Sequence, residues 1–159
     1  MKFIIPGTGF VYLNEGAYST IFVDRESGRV WKVFKNRWDA TREHCEAVFN
    51  AEVEAYGIAR ADEDLASLTP DFFGVVDVPK VEDAAREDAS DQFHLDLAYQ
   101  ISMVPGYFLK LAETTEFARI TALFRAKGIL VRDSCVVLDD NGKVTSVIDF
   151  TTKEIEPEW

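Results

Sequence analysis

Apolar and polar residues alternate along the first part of the chain with the period of β-strands. Phe3–Ile5 is a short apolar run stopped by Pro6-Gly7. Phe10–Asn14 and Tyr18–Asp24 read as strands around Glu15-Gly16-Ala17, and Arg29–Phe34 as a third after the turn Arg25–Gly28. Links this short favour an antiparallel meander. The period then changes. From about Thr41 to Arg60 the apolar positions Cys45, Val48, Phe49, Val53 and Tyr56 recur at helical spacing, with Asp39 or Thr41 as the N-cap. Glu52 falls inside that stripe, whereas Glu54 points away from it. A carboxylate on the buried face of a helix calls for a cationic partner, because unpaired burial costs several kcal/mol. A Glu at the stripe's edge that reaches water is the other reading.

Further along, Leu68–Val78 holds a strand opened by Thr69-Pro70 and closed by Pro79. Lys80–Asp91 is acidic and alanine-rich and predicts a solvated loop or short helix. Phe93–Val104 predicts another strand, ended by Pro105-Gly106. Glu113–Lys127 predicts a second helix with Phe117, Ile120, Thr121 and Phe124 on one face and Gly128 as its stop. Two apolar runs follow, Cys135–Leu138 and Val144–Ile148, joined by Asp-Asp-Asn-Gly-Lys. Asn141-Gly142 predicts a hairpin with a type I′ turn, pairing Leu138 with Thr145, Val136 with Val147 and Ser134 with Asp149. Asp133 and Asp149 then converge at the hairpin's base. Two carboxylates there repel unless a cation or proton lies between them. Two solvated acids at a hairpin mouth is the alternative.

The predicted class is α+β: a mostly antiparallel sheet carrying one long helix, over residues 1–105, joined through Pro105-Gly106 to a small second lobe, 106–159. At 159 residues this is one domain or two joined lobes. An apolar content of 47% fits a soluble globular protein. The net charge of −11 argues against binding nucleic acid, and any phosphate site needs locally placed cations. No apolar run approaches a membrane span, and MKFIIPGTG is too short for a signal peptide. Cys45 and Cys135 form no CxxC pair, which predicts reduced thiols in a cytoplasm and no zinc site. His44 and His94 form no constellation and are expected at the surface or a helix edge.

The element order and several residues resemble a protein kinase cut short. Leu13 to Phe22 (LNEGAYSTIF) lies over the kinase Gly-rich hairpin, with Gly16 as its one remaining glycine and Asn14 and Ser19 as small neighbours. Val30-Trp31-Lys32 stands in the place of the third-strand lysine, and Lys32 shares a strand face with Val30 and Phe34. Glu52, twenty residues on, has the spacing of the kinase Lys–Glu ion pair. Ile101–Gly106 (ISMVPG) resembles the hinge, whose backbone at Ser102 to Val104 would bond adenine between Leu13, Ile21, Val30, Val137 and Ile148. Val131-Arg132-Asp133 resembles His-Arg-Asp, making Asp133 the base that orients an acceptor hydroxyl. Ile148-Asp149-Phe150 resembles Asp-Phe-Gly, making Asp149 a ligand of Mg²⁺.

The resemblance therefore implies a minimal protein kinase that binds ATP and Mg²⁺ and phosphorylates a Ser or Thr hydroxyl of a protein. Leu138 stands where the kinase catalytic loop carries its Asn, and ten residues follow Asp149, which implies no activation segment and no helical lower lobe. That outline is similar to small effector kinases that bacteria deliver into host cells, some of which need a host protein partner. An inactive pseudokinase acting as a protein-binding module stays open. So does an acidic decoy working through Glu82–Asp91 and Glu154, Glu156 and Glu158 on a basic target.

Overall fold

The expected meander forms. A computed structural model describes residues 2–131 and 133–155; Arg132 and the tail acids Glu156 and Glu158 lie outside them. β1 (Phe3–Ile4), β2 (Val11–Glu15), β3 (Ser19–Asp24) and β4 (Arg29–Lys35) precede the long helix α1 (Arg42–Ala61) and the short α2 (Glu63–Ala66). β5 (Phe72–Val76), β6 (Glu82–Asp83) and β7 (Phe93–Ser102) follow. These seven strands make one sheet in the order β5-β7-β4-β3-β2-β1-β6. β2 pairs with β3, β3 with β4 and β4 with β7, all antiparallel. Among the described residues no helix is long and apolar enough to cross a membrane.

The described chain divides into two units, 2–49 with 73–103, and 50–72 with 104–155. In the first, one sheet face buries Phe22, Val33, Phe93 and Ala98 with Phe3, Ile5, Phe10, Val78, Val81 and Ala89. Trp31 stacks on Phe10 at 4.3 Å and donates its indole N–H to Gln100 at 2.8 Å, so the ring's polar edge is satisfied. The stretch expected to be solvated, Lys80–Asp91, is partly core. Glu82–Asp83 adds to β1 as an edge strand, and Val81 and Ala89 are buried beside it. The remainder is solvated as expected, with Glu87, Asp88 and Asp91 exposed, while Asp83 Oδ1 accepts the N–H groups of Ala85 and Glu87. On the opposite face, Phe34 meets Phe49 of α1 edge-on at 5.5 Å, and Phe49 lies 6.2 Å from Tyr99.

α1 is capped by Thr41, whose Oγ1 accepts the His44 N–H at 3.1 Å. Its buried face is wider than the apolar stripe suggests. Ala51, Ala55 and Ala59 are buried, while Val48 and Val53 are half-buried. His44, expected at the surface or a helix edge, is only 5% exposed; its ring stacks on Tyr18, whose hydroxyl lies 2.7 Å from Nε2.

The second unit carries α3 (Phe117–Arg125) and a three-stranded sheet of β8 (Tyr107–Lys110), β9 (Cys135–Leu138) and β10 (Val144–Ile148), ordered β10-β9-β8. α3 starts later than expected because Leu111–Glu113 forms a 3₁₀ turn and Thr114 is extended, its hydroxyl bonded to the Leu111 carbonyl. Gly128, at φ 80°, ends α3 with the Ile129 N–H on the Phe124 carbonyl. The hairpin's strands have the bounds the sequence predicts, and Val136 faces Val147. Its turn differs. Only Gly142 of the Asn-Gly pair has a positive φ, and Asp139 Oδ1 caps the N–H groups of Asn141 and Lys143, so the loop is not type I′. Leu138 consequently faces Val144, and Thr145 sits in a bulge.

Gly106 sits at φ 140°, and a Cβ there would come within 2.5 Å of the Leu138 carbonyl oxygen. Gly106→Ala is therefore expected to lower stability by about 2 kcal/mol or more, measured as the shift of a urea unfolding midpoint.

Candidate functional site

Antiparallel pairing places Ile21, Lys32 and Tyr99 in one cross-strand row. Lys32 is 8% exposed, and its ammonium lies 5.8 Å from the Tyr99 ring centroid. Val30, on the same strand face, is equally buried. A lysine so enclosed loses most of its hydration.

The hairpin between β2 and β3 is tied down more firmly than a phosphate-binding loop would suggest. The Gly16 N–H donates to the Ser19 carbonyl at 2.8 Å, which commits that amide to the turn. Ser19 is buried opposite Phe34, so its hydroxyl faces the sheet interior, while Leu13 bulges outward at 45% exposure. Glu15 accepts from Lys2 at 2.6 Å and from Lys35 at 3.1 Å. Bonds to both ammonium groups push its carboxyl down to about 2. In the stretch expected to act as a hinge, Met103 donates its N–H to the Gly28 carbonyl at 2.9 Å; Ser102 and Val104 on either side are half-buried. A shallow depression of about 460 Å³ on this unit is lined by Lys35, Arg37, Trp38 and Asp39 and does not include Lys32. Its cations are already matched, Arg37 by Asp39 and Lys35 by Glu15.

In the second unit, Glu52 is 9% exposed on α1. The neighbouring Ala51 carbonyl and Glu54 carboxylate both accept from the Thr152 hydroxyl, at 3.5 and 3.2 Å. One turn beyond Glu52, Tyr56 packs on Phe150 with ring centroids 4.5 Å apart. The segment Asp149–Thr152 thus runs along α1 at the level of Glu52. Phe72 meets the Tyr56 ring edge-on at 5.2 Å, and Phe124 lies 5.7 Å from Phe150, making a column of four rings. Phe150 is 2% exposed. Asp149 itself is exposed and held at φ 62°. Its carbonyl accepts the Ser134 hydroxyl at 2.6 Å, and Leu130 and Thr151 exchange backbone bonds just beyond it.

Asp133 and Asp149 both occupy the base of the hairpin. Asp133 is exposed, and its carbonyl accepts from Lys110 at 3.2 Å. Val137 is fully buried and Ile148 half-buried in the strands above them. Lys32, Leu13, Gly16, Ser19, Ile21, Val30 and Ser102 belong to the first unit, and Glu52, Val104, Asp133, Val137, Ile148 and Asp149 to the second. Two residues beside Glu52 were not expected at the site: Tyr56, read only as part of the apolar stripe, and Thr152, which left no signal. Among the described residues no three His, Cys, Asp or Glu side chains converge as a preformed metal cluster. Compared with protein-family models, curated proteins and solved structures, the chain matches none.

The Glu15 cluster makes a pH-dependent contribution. A carboxyl lowered from its ordinary 4.5 to about 2 stabilises the fold above the higher value and loses that contribution as pH falls through the window. Glu15→Gln should cost about 1 kcal/mol near neutrality, since partial exposure screens the pair, and the two proteins should converge by pH 2 in urea unfolding followed across pH.

Proposed function

We propose that the protein is a minimal kinase-like protein that binds ATP with Mg²⁺ and transfers the γ-phosphoryl group to a Ser or Thr hydroxyl of a protein. The observation that carries this reading is the burial of two charged side chains, one in each unit. Lys32, on the third strand of the meander, is 8% exposed; Glu52, on the helix that follows, is 9% exposed. Burying either charge costs several kcal/mol, a cost offset where the charge serves an ion pair or a ligand. The resemblance rests on the order of meander, helix, two strands, Pro-Gly link, helix and hairpin read from the sequence, to which the described residues add the short α2, β6 and β8.

In this reading Lys32 neutralises the α- and β-phosphates, and Glu52 is its counter-ion. Asp133, exposed at the hairpin base, accepts the proton of the acceptor hydroxyl as its oxygen bonds to the γ-phosphorus and the bond to the β-phosphate oxygen breaks. Mg²⁺ takes oxygen ligands, keeps several waters and is bound through one or two carboxylates plus phosphates, so the exposed, backbone-fixed Asp149 fits it without a larger acid cluster. When bound, the ion offsets charge on the β- and γ-phosphates.

A second reading, an inactive protein-binding module, has its own support. Leu138, standing for the catalytic-loop Asn, is locked in β9 opposite Tyr107 and Val144. The Gly16 amide is spent in its turn.

ATP with Mg²⁺ should raise the thermal midpoint, with about 2.7 kcal/mol of added stability at a hundredfold excess over Kd. Labelled γ-phosphate should pass to the protein itself or to a basic acceptor protein. Lys32→Met, which keeps the apolar stem, and Asp149→Asn should abolish that transfer. A midpoint that ignores ATP removes the nucleotide reading. A shift without transfer leaves the binding module standing.

A further inference from the structure

Among the described residues, the three-stranded sheet of the second unit ends in an edge strand, β8. β8 pairs with β9 on one side, with Tyr107 opposite Leu138 and Lys110 opposite Cys135, and it is the last strand in the order. The Leu111 N–H donates to the Ser134 carbonyl at 3.0 Å. Because bonded and non-bonded pairs alternate in an antiparallel ladder, the backbone groups of Tyr107 and Leu109 face β9. Those of Phe108 and Lys110 face outward. Tyr107 is 68% exposed and Phe108 61%, and they point to opposite faces of the strand. An edge with outward N–H and C=O groups and a large exposed ring on each face is a template for another strand.

Charge says which kind of strand. Asp139 and Asp140, with Lys143 across the turn, follow Leu138 at the Tyr107 end, and the exposed acids Asp133 and Glu113 flank Lys110 at the other, so each end carries one more acid than base. The chain as a whole carries −11. A second copy pairing antiparallel through β8 would set Asp139 and Asp140 of one chain beside Asp133 of the other, acid against acid. Parallel pairing would bring like ends together, with the same result. An extended segment with basic flanks meets opposite charge at both ends.

We propose that β8 is a docking edge for an extended, basic segment of a protein partner, which joins the sheet as its fourth strand. Main-chain bonds to Phe108 and Lys110 supply the pairing, Tyr107 and Phe108 pack on side chains of the added strand, and Asp133, Asp139 and Asp140 select positive flanks. The site does not depend on nucleotide.

The test uses the whole chain and a fluorescein-labelled peptide of alternating Val and Thr flanked by paired Arg, followed by polarisation, with a Glu-flanked version as control. Lys110 has φ −69°, so Lys110→Pro fits the backbone while removing an outward donor. The Arg-flanked peptide should bind, more weakly as salt rises. Lys110→Ala should keep this binding, and Lys110→Pro should weaken it by about tenfold. Tyr107→Ser with Phe108→Ser, which replaces side chains that are already exposed, should weaken it similarly and covers the case of a proline variant that fails to fold. Binding that survives both changes, equal binding of the Glu-flanked peptide, or no binding of either peptide would overturn the proposal. So would a wild-type dimer in ultracentrifugation that Lys110→Pro dissociates, since a second copy would then hold the edge.

Discussion

Phe150 is wedged between Tyr56 and Phe124, at 4.5 and 5.7 Å between ring centroids, and the geometry around it follows from that placement. The residue before it, Asp149, sits at φ 62°, a backbone conformation that costs a non-glycine residue on the order of 1–3 kcal/mol. Burying a phenylalanine returns about 2–3 kcal/mol, enough to hold the strained residue. Two further ties keep the segment in place: the Ser134 hydroxyl on the Asp149 carbonyl and the backbone exchange between Leu130 and Thr151. Asp149 is therefore oriented by its neighbours. Its carboxylate is exposed, but the chain carrying it is anchored on both sides.

The same packing explains the position of Glu52. Tyr56 is one helical turn beyond it, and Thr152 reaches the carbonyl of the residue before it. Both contacts hold this stretch of α1 against Asp149–Thr152, so an acid on the helix and an acid after the hairpin belong to one packed region. Neither acid need supply the energy that places it; the rings do. The first unit has the matching economy: Lys32 lies in a row with Ile21 and Tyr99, placed by strand pairing that it does not itself drive.

Much of this was legible where the period was clean. The hairpin strands fall on the predicted residues because each is a short apolar run bounded by polar ones, and the meander follows from links too short for a crossover. Glu52 stood out because a charge within an apolar stripe is conspicuous. Other features left little trace. Alanine reads neither as apolar nor as polar, so the buried Ala51, Ala55 and Ala59 widened α1's face unseen. β6 was hidden by its two acidic letters: Asp83 caps backbone N–H groups and Glu82 pairs with Lys80. β8 follows a Pro-Gly pair that reads as a link, and its two aromatics face solvent instead of a core. In the hairpin turn, Asn-Gly suggested one geometry, but Asp139 offered its carboxylate to two backbone N–H groups and another resulted.

Charge balance bears on the nucleotide reading. ATP is strongly anionic, and a chain of net −11 repels it at long range. Physiological salt screens that repulsion beyond about 8 Å, so it slows encounter more than it weakens contact. Binding then has to come from short-range contacts in a dry setting, where one ammonium counts for far more than it does in water. Lys32 meets that requirement by its burial, and surface lysines such as Lys2, occupied by Glu15, do not. The acidity that disfavours nucleic acid is compatible with a nucleotide only if a buried cation does the work. This leaves the reading resting on Lys32 rather than on any general positive surface.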